Sequence, residues 1–307
     1  MSVIAGLFAG LVAGWLALVV IRPALGAPVF VRRNYRNHEL PTGAGVAVAA
    51  GVLLVEAAKA VGGALGVGDA PVLTTARTLT MLTVVGFTLL GLADDLGAMG
   101  STSGFGGHLR SIVAGSVSTG GIKLIGGGLL ALVLGGPAGH LGGATPGPAG
   151  VARLLVDGAV IALSANLANL FDRAPGRVIK MSMLMFAVLA IPVALRRSTA
   201  GLGAVAVVIG AATGVLPSDL RETSMLGDTG ANAVGASLGL GVVLMCAPWV
   251  RFVVLLGLLA MNLVSERVSF SAIIDAVAPL RALDRFGGTE QRKTFRAAMD
   301  TSGSSRG

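Results

Sequence analysis

Charge is what this chain most lacks. Only 12% of its 307 residues are Asp, Glu, Lys or Arg, against roughly a quarter in an ordinary soluble domain. With 54% hydrophobic residues, that balance excludes a solvated globule and implies a polytopic membrane protein. Cysteine is almost absent too. Cys246 stands alone inside the apolar run VVLMCAPWV, so the chain can form neither an internal disulfide nor a cysteine metal site, and packing is its expected role. Aromatics are scarce at 4%, while glycine reaches 47 residues, a balance suited to helices that approach closely through small residues. The opening MSVIAGLFAGLVAGWLALVVIRP has no basic start of the secretory type, and its first arginine follows the apolar run, so it is expected to stay as a first span. No stretch has the composition of a separate soluble domain, and no internal repeat is evident.

What is present is a series of long apolar runs. Candidate spans are Val3 to Ile21, Gly43 to Val61, Thr78 to Ala93, Gly120 to Leu134, Leu154 to Leu170, Val178 to Leu195, Leu202 to Leu216, Ala231 to Ala247 and Phe252 to Val264. The expected fold is all-α: a polytopic membrane bundle of about nine to ten helices over residues 1–266. A basic segment at 267–300 would lie at the membrane surface, with Phe270 to Leu283 as an interfacial helix, and 301–307 would be a disordered tail. The net charge of +8 resides mostly in short loops, where basic residues set orientation, so nucleic acid is not an expected partner. With nine spans, Arg22, Arg32, Arg33, Arg36, Arg173, Arg177, Lys180, Arg267, Arg281, Arg285, Arg292, Lys293 and Arg296 share one side, which the positive-inside rule makes cytoplasmic; Arg196 and Arg197 are the exception. The expected location is the plasma (inner) membrane, with the functional face toward the cytoplasm.

That orientation brings the acids together. Asp94 and Asp95 end TLTMLTVVGFTLLGLADD, Asp172 follows the fifth span, and Asp219 and Asp228 flank the loop after the seventh. A carboxylate at the end of a membrane helix is costly enough to imply a polar cavity and a task. Adjacent side chains diverge on a helix, so one of Asp94 and Asp95 can meet a metal or nucleophile while the other reaches a neighbour. Asn166, Asn169 and Asp172, spaced by three, share one face in SANLANLFDR and could orient a phosphate or ribose or hold water around a cation; interhelical hydrogen bonding is the equally weighted alternative. In MLGDTGANAVG, Gly227 and Gly230 bracket Asp228 at the start of a span, where a helix N-terminus favours an anion and the carboxylate a cation; a capped Gly-rich turn is the plainer reading. Lys123, near the cytoplasmic end of the fourth span, could hold a phosphate or neutralise a carboxylate, or simply snorkel. His108 and Arg110 precede it in the same loop, where solvation is the ordinary account of a lone histidine. Thr42 and Gly43, within Pro41 to Gly45, start the second span and could wall an anionic-ligand site.

Taken in order, PTGAG at Pro41 to Gly45, LADD at Leu92 to Asp95, Lys123, NLANLFD at Asn166 to Asp172 and MLGDTGAN at Met225 to Asn232 give the chain a resemblance. It resembles the polyprenyl-phosphate N-acetylhexosamine-1-phosphate transferases, the glycosyltransferase family 4 enzymes that include phospho-MurNAc-pentapeptide translocase. The resemblance implies transfer of a sugar 1-phosphate from a UDP-sugar to a polyprenyl phosphate at the cytoplasmic membrane face, with release of UMP, in envelope glycan synthesis. It implies Mg²⁺ as cofactor, with Mn²⁺ able to replace it, and the lipid phosphate and nucleotide sugar as partners. By position, Asp228 would be a metal ligand, Asp94 a base or acceptor-side carboxylate with Asp95 beside it, Lys123 a phosphate neighbour, and Asn169 and Asp172 the nucleotide side. Thr42, Gly43 and Asn166 complete the expected substrate contacts. Gly-rich faces would allow a homodimer. The chain departs from the family pattern at Ala98, where a lysine is usual, at Pro175, at Met225 in place of a stacking aromatic, at Ser218-Asp219, and in RALDRF where a His-rich loop is usual. These departures imply altered donor recognition or a member with little activity. A secondary transporter with an acidic ion pathway, or a non-catalytic relative that scaffolds envelope assembly, are the alternatives from other classes.

Overall fold

A computed structural model describes residues 2–67, 73–97, 119–140, 147–195 and 200–288. The expectations for Ala98, His108, Arg110, Arg196, Arg197, Arg292, Lys293, Arg296 and the 301–307 tail lie outside these residues.

The long helices are α1 (Val3–Leu25), α2 (Val46–Ala64), α3 (Thr75–Gly97), α4 (Thr119–His140), α5 (Pro148–Phe171), α6 (Arg177–Leu195), α7 (Ala200–Leu220), α8 (Gly227–Met245) and α9 (Pro248–Ser265). Each expected span coincides with one of them. The ends differ because hydropathy marks only the apolar middle, whereas a helix runs on to its cap: α3 continues through Asp94 and Asp95 to Gly97, and α5 starts at Pro148, a residue preorganised for a first turn. Among the described residues, α1, α2, α3, α4, α5, α7 and α9 are long and apolar enough to cross a membrane, as in a multi-pass membrane protein. The only described strands are β1 (Val31–Arg33) and β2 (Glu39–Pro41), an antiparallel hairpin between α1 and α2 that hydropathy did not foretell.

Small residues set the packing. Gly10 and Gly14 of α1 pack on the α7 backbone at Val207 and Ala211, and Gly210 and Gly214 of α7 pack on the α1 backbone at Leu7, Leu11 and Trp15. A Cβ on Gly10 would fall 2.2 Å from the Val207 carbonyl oxygen, and one on Gly210 2.1 Å from that of Leu7. With lipid offering apolar contact everywhere, such close backbone approach is what distinguishes a helix partner. At the centre lies α8, packed by α2, α3, α4, α5, α6 and α7. It can open with the polar GDTGAN because protein, not lipid, surrounds it. The outer faces carry large exposed apolar side chains, among them Phe8, Trp15, Leu129, Trp249, Phe252 and Leu263.

Successive long helices alternate in direction. One end of the bundle therefore collects the ends of α1, α3, α5, α7 and α9 and the starts of α2, α4, α6 and α8. The expected single helix over Phe270 to Leu283 is instead two short ones at that end, α10 (Phe270–Ala276) and α11 (Ala278–Arg285). Val277 is extended between them, and Pro279, at the start of α11, cannot continue a helix through that point. The pair is fastened to α6. Arg177 donates to both Asp284 carboxylate oxygens at 2.7 and 3.1 Å and to Ser271 at 2.8 Å, and Lys180 donates to the carbonyls of Leu283, Asp284 and Phe286. Phe270 stacks on Phe171 at the end of α5, with centroids 4.9 Å apart.

Candidate functional site

The site is assembled by two loops that pair as if they were strands. Met225 N donates to the Pro41 carbonyl at 2.7 Å, while Ala44 N and Gly45 N donate to the Met225 and Leu226 carbonyls at 3.1 and 3.0 Å. PTGAG and MLGD, remote in sequence, thus form one backbone unit. Gly227 turns through a positive φ of 71°, and a Cβ there would lie 2.6 Å from Asp95 Oδ2 and 2.7 Å from Thr42 Oγ1. A side chain at Gly91 would meet the Asp228 carbonyl oxygen at 2.3 Å. These contacts bring the end of α3 directly onto the start of α8. Thr42 is buried and Gly43 has φ 79°; both brace the α8 entry and neither lines the groove described below.

The two adjacent aspartates separate, as neighbouring helix positions must. Asp95 accepts from Asp228 N at 3.2 Å, Thr229 N at 3.1 Å and Thr229 Oγ1 at 2.5 Å. The anion that the α8 N-terminus attracts is therefore supplied by α3, an N-cap reaching across from another helix. Arg32 in turn donates to the Asp95 and Leu96 carbonyls at 2.9 and 3.3 Å, covering the C-terminal end of α3.

Asp94 turns the other way, toward Lys123 of α4. The Lys123 ammonium donates to Asp94 Oδ2 at 3.2 Å and is hydrogen-bonded to Asp228 Oδ2. Asn169 of α5 completes the cluster. Oriented to satisfy both neighbours, its amide nitrogen donates to Asp228 Oδ1 at 2.5 Å and its oxygen accepts from Lys123 at 3.1 Å. Residues from α3, α4, α5 and α8 thus share one ion-pair cluster. Asn166 lines the groove described below while its amide nitrogen donates to Asn262 of α9 at 2.7 Å, the interhelical bond that its sequence position equally allowed. Asp172, just past α5, is half-buried. Burial, followed by the Asp219, Asp228 and Asp95 carboxylates, holds its carboxyl well above the ordinary carboxylate range against the opposing charge of Arg173.

A groove of about 230 Å³ leads to this cluster between α3, α4 and α5. Its lining is apolar at Phe87, Leu90, Leu124, Gly127, Gly128, Ala162, Ala165 and Leu170 and polar at Asp94, Lys123, Asn166, Asn169, Arg173, Asn232 and Glu266. On α3 and α4 the polar residue, Asp94 or Lys123, lies past Phe87 and Leu90 or past Gly127 and Gly128, and on α5 Ala162 and Ala165 give way to Asn166, Asn169 and Arg173 with Leu170 among them. Arg173 and Glu266 stand exposed.

For Thr229, Asn232 and Asp219 the sequence singles out the residue or its motif but not its role, and for Glu222 it gives neither. Thr229 and Asn232 lay inside the recognised MLGDTGAN motif, yet their roles, holding Asp95 and donating to the Asp228 carbonyl at 2.7 Å, depend on a partner helix or a turn geometry that the motif does not reveal. Asp219 acts as a loop clamp, accepting from Gly176 N at 2.7 Å and Leu226 N at 3.2 Å. Glu222 ties the same loop to the hairpin by accepting from Arg36 at 2.6 Å and Asn34 at 2.8 Å.

Among the described residues no three His, Cys, Asp or Glu side chains converge as a ready-made metal cage. The donors around the Lys123 ammonium are nevertheless all oxygens, from two carboxylates and one amide. That set fits Mg²⁺, which is ordinarily held through one or two carboxylates with water and substrate phosphates completing its shell. Comparison of the chain with protein-family models and with curated proteins found no match.

Proposed function

We propose that the protein transfers a sugar 1-phosphate from a UDP-sugar of the N-acetylhexosamine type to a polyprenyl phosphate at the cytoplasmic face of the plasma membrane, in envelope glycan synthesis. The observation that carries this reading is a groove lined both by apolar side chains of membrane helices and by Asp94, Lys123 and Asn169, the residues that meet Asp228 in one cluster. An acceptor with a long hydrocarbon tail and a phosphate head combines the same two kinds of surface. A transporter would place its carboxylates near the bilayer midplane, whereas Asp94, Asp172 and Asp228 occupy one end of their helices.

In the proposed reaction an oxygen of the lipid phosphate attacks the sugar-linked phosphorus of the donor. A new P–O bond forms, the bond to the UMP oxygen breaks, and UMP leaves with that electron pair. Asp94, in the groove, is the acceptor-side carboxylate that orients the lipid phosphate, which attacks as its dianion. Lys123 offsets charge on the phosphates, and Arg173 meets the donor at the groove mouth. Asp228, with Asp94 and the Asn169 oxygen, would hold Mg²⁺, whose chemistry when bound is to offset the charge spread over the diphosphate oxygens. Asp95 acts through α8, holding Asp228 in register. Purified protein incubated with polyprenyl phosphate, Mg²⁺ and a panel of UDP-sugars is expected to release UMP, and Asp228→Asn to abolish release. Silence across the panel would refute the proposal.

A further inference from the structure

We infer that Lys123 is a resident counter-cation that competes with a divalent cation for one set of oxygens, and that the ammonium is free to engage phosphate only once those oxygens are taken over. This rests on the metal reading of the proposed function and goes beyond it in assigning Lys123 two alternating positions.

The Lys123 Nζ lies 3.2 Å from Asp94 Oδ2, hydrogen-bonded to Asp228 Oδ2, and 3.1 Å from the Asn169 oxygen. Those are the oxygens that fit a hard divalent ion, and an ammonium and a divalent ion cannot both sit among them: two cations only a few ångströms apart repel strongly at the low effective dielectric of a half-buried site. Lys123 has somewhere else to go. It lines the groove, and its flexible four-carbon stem lets the head swing while the backbone of α4 stays fixed. Beyond the cluster the polar lining holds one carboxylate, Glu266, beside Arg173 and the amides of Asn166 and Asn232, and a substrate phosphate bound in the groove would give the head its next partner. Without substrate the ammonium neutralises the carboxylates and protects the cluster from self-repulsion. With a cation seated, the same positive charge becomes available to the transferring phosphate. Cation and phosphate therefore favour each other's binding, a reciprocal coupling carried by one side chain.

The test is Mn²⁺ binding to the full-length protein in lipid nanodiscs, read by electron paramagnetic resonance without any turnover. Removing the competing charge in Lys123→Met is expected to tighten Mn²⁺ binding by about tenfold or more, while Lys123→Arg stays near wild type. Lys123→Gln, which keeps a polar head, is expected to tighten binding as well and is read in place of Lys123→Met if the latter does not fold. Unchanged or weaker Mn²⁺ binding in the uncharged variants would overturn the inference and leave the transferase reading standing. Absence of Mn²⁺ binding in every form would overturn it together with the metal assignment. Tightened binding in a protein that releases no UMP would uphold the competition and refute the transferase.

Discussion

Replacing Asp95 by Asn separates an anchoring carboxylate from a reacting one. Asp95 accepts from Asp228 N, Thr229 N and Thr229 Oγ1. An amide keeps one acceptor oxygen and turns an NH₂ group toward donors that have no other described partner for those bonds. Loss of a helix cap costs about 0.5–2 kcal/mol, and loss of a negative charge at a helix N-terminus about 0.3–1 kcal/mol more. Together these give about 1–3 kcal/mol, which for a chain of this size corresponds to roughly 2–6 °C in melting temperature. Thermal unfolding in nanodiscs, followed by tryptophan fluorescence, measures it. The sharper version is a double-mutant cycle with Thr229→Val: because the two side chains touch, their effects should fall short of additivity by about 0.5–3 kcal/mol. Asp94→Asn, one residue away but facing Lys123, should show no coupling to Thr229. If Asp95→Asn unfolds with the wild type, or its effect simply adds to that of Thr229→Val, then Asp95 does not anchor α8.

Gly91→Ala places a methyl 2.3 Å from the Asp228 carbonyl oxygen, whereas a Cβ at Gly128 meets nothing within 4 Å; the first should destabilise by at least about 1–3 kcal/mol and the second by far less in the same unfolding assay. Arg177→Met leaves Asp284 without its buried partner and should cost about 3–5 kcal/mol, seen as rapid proteolytic release of α10 and α11, while Arg177→Met combined with Asp284→Leu should recover much of the loss. The raised Asp172 carboxyl holds its proton more tightly in the folded state than in the unfolded state, so stability should fall as pH rises from the ordinary carboxylate value through the raised one. Melting temperatures from roughly pH 4 to pH 8 should show that decline in the wild type and a shallower one in Asp172→Asn.

The membrane bundle was legible because apolar runs of spanning length admit few other structures; the runs also led to the expectation that Asp94, Asp95, Asp172, Asp219 and Asp228 share one face, and in the structure Asp94 and Asp228 meet at Lys123 and Asn169. What sequence could not show was which of two adjacent acids faces which neighbour. Asp94 meets Lys123 and Asp95 meets Thr229, a choice made by the rotation of α3 against α8 that Gly91 permits. Asn166 and Asn169 looked equivalent, yet their angular offset sends one to Asn262 and the other to Asp228. The α10–α11 break was missed, because a single helix was expected through Pro279, and the fastening of Asp284 to Arg177 joins residues too remote in sequence for local patterning to pair. The buried Asp157–Arg251 pair, 2.9 Å apart between α5 and α9, joins residues 94 positions apart, while the sequence offers Asp157 a nearer basic neighbour in Arg153.

The central claim is that one cation, a lipid phosphate and a nucleotide sugar meet at the Asp94–Asp228 cluster. A crystal structure of the protein soaked with Mn²⁺ and a UDP-sugar tests it most directly. The account predicts one anomalous peak bonded to Asp228 and Asp94, completed by diphosphate oxygens, with Lys123 moved from the carboxylates onto phosphate. A peak elsewhere, or a nucleotide bound away from the groove with Lys123 still between Asp94 and Asp228, would contradict it.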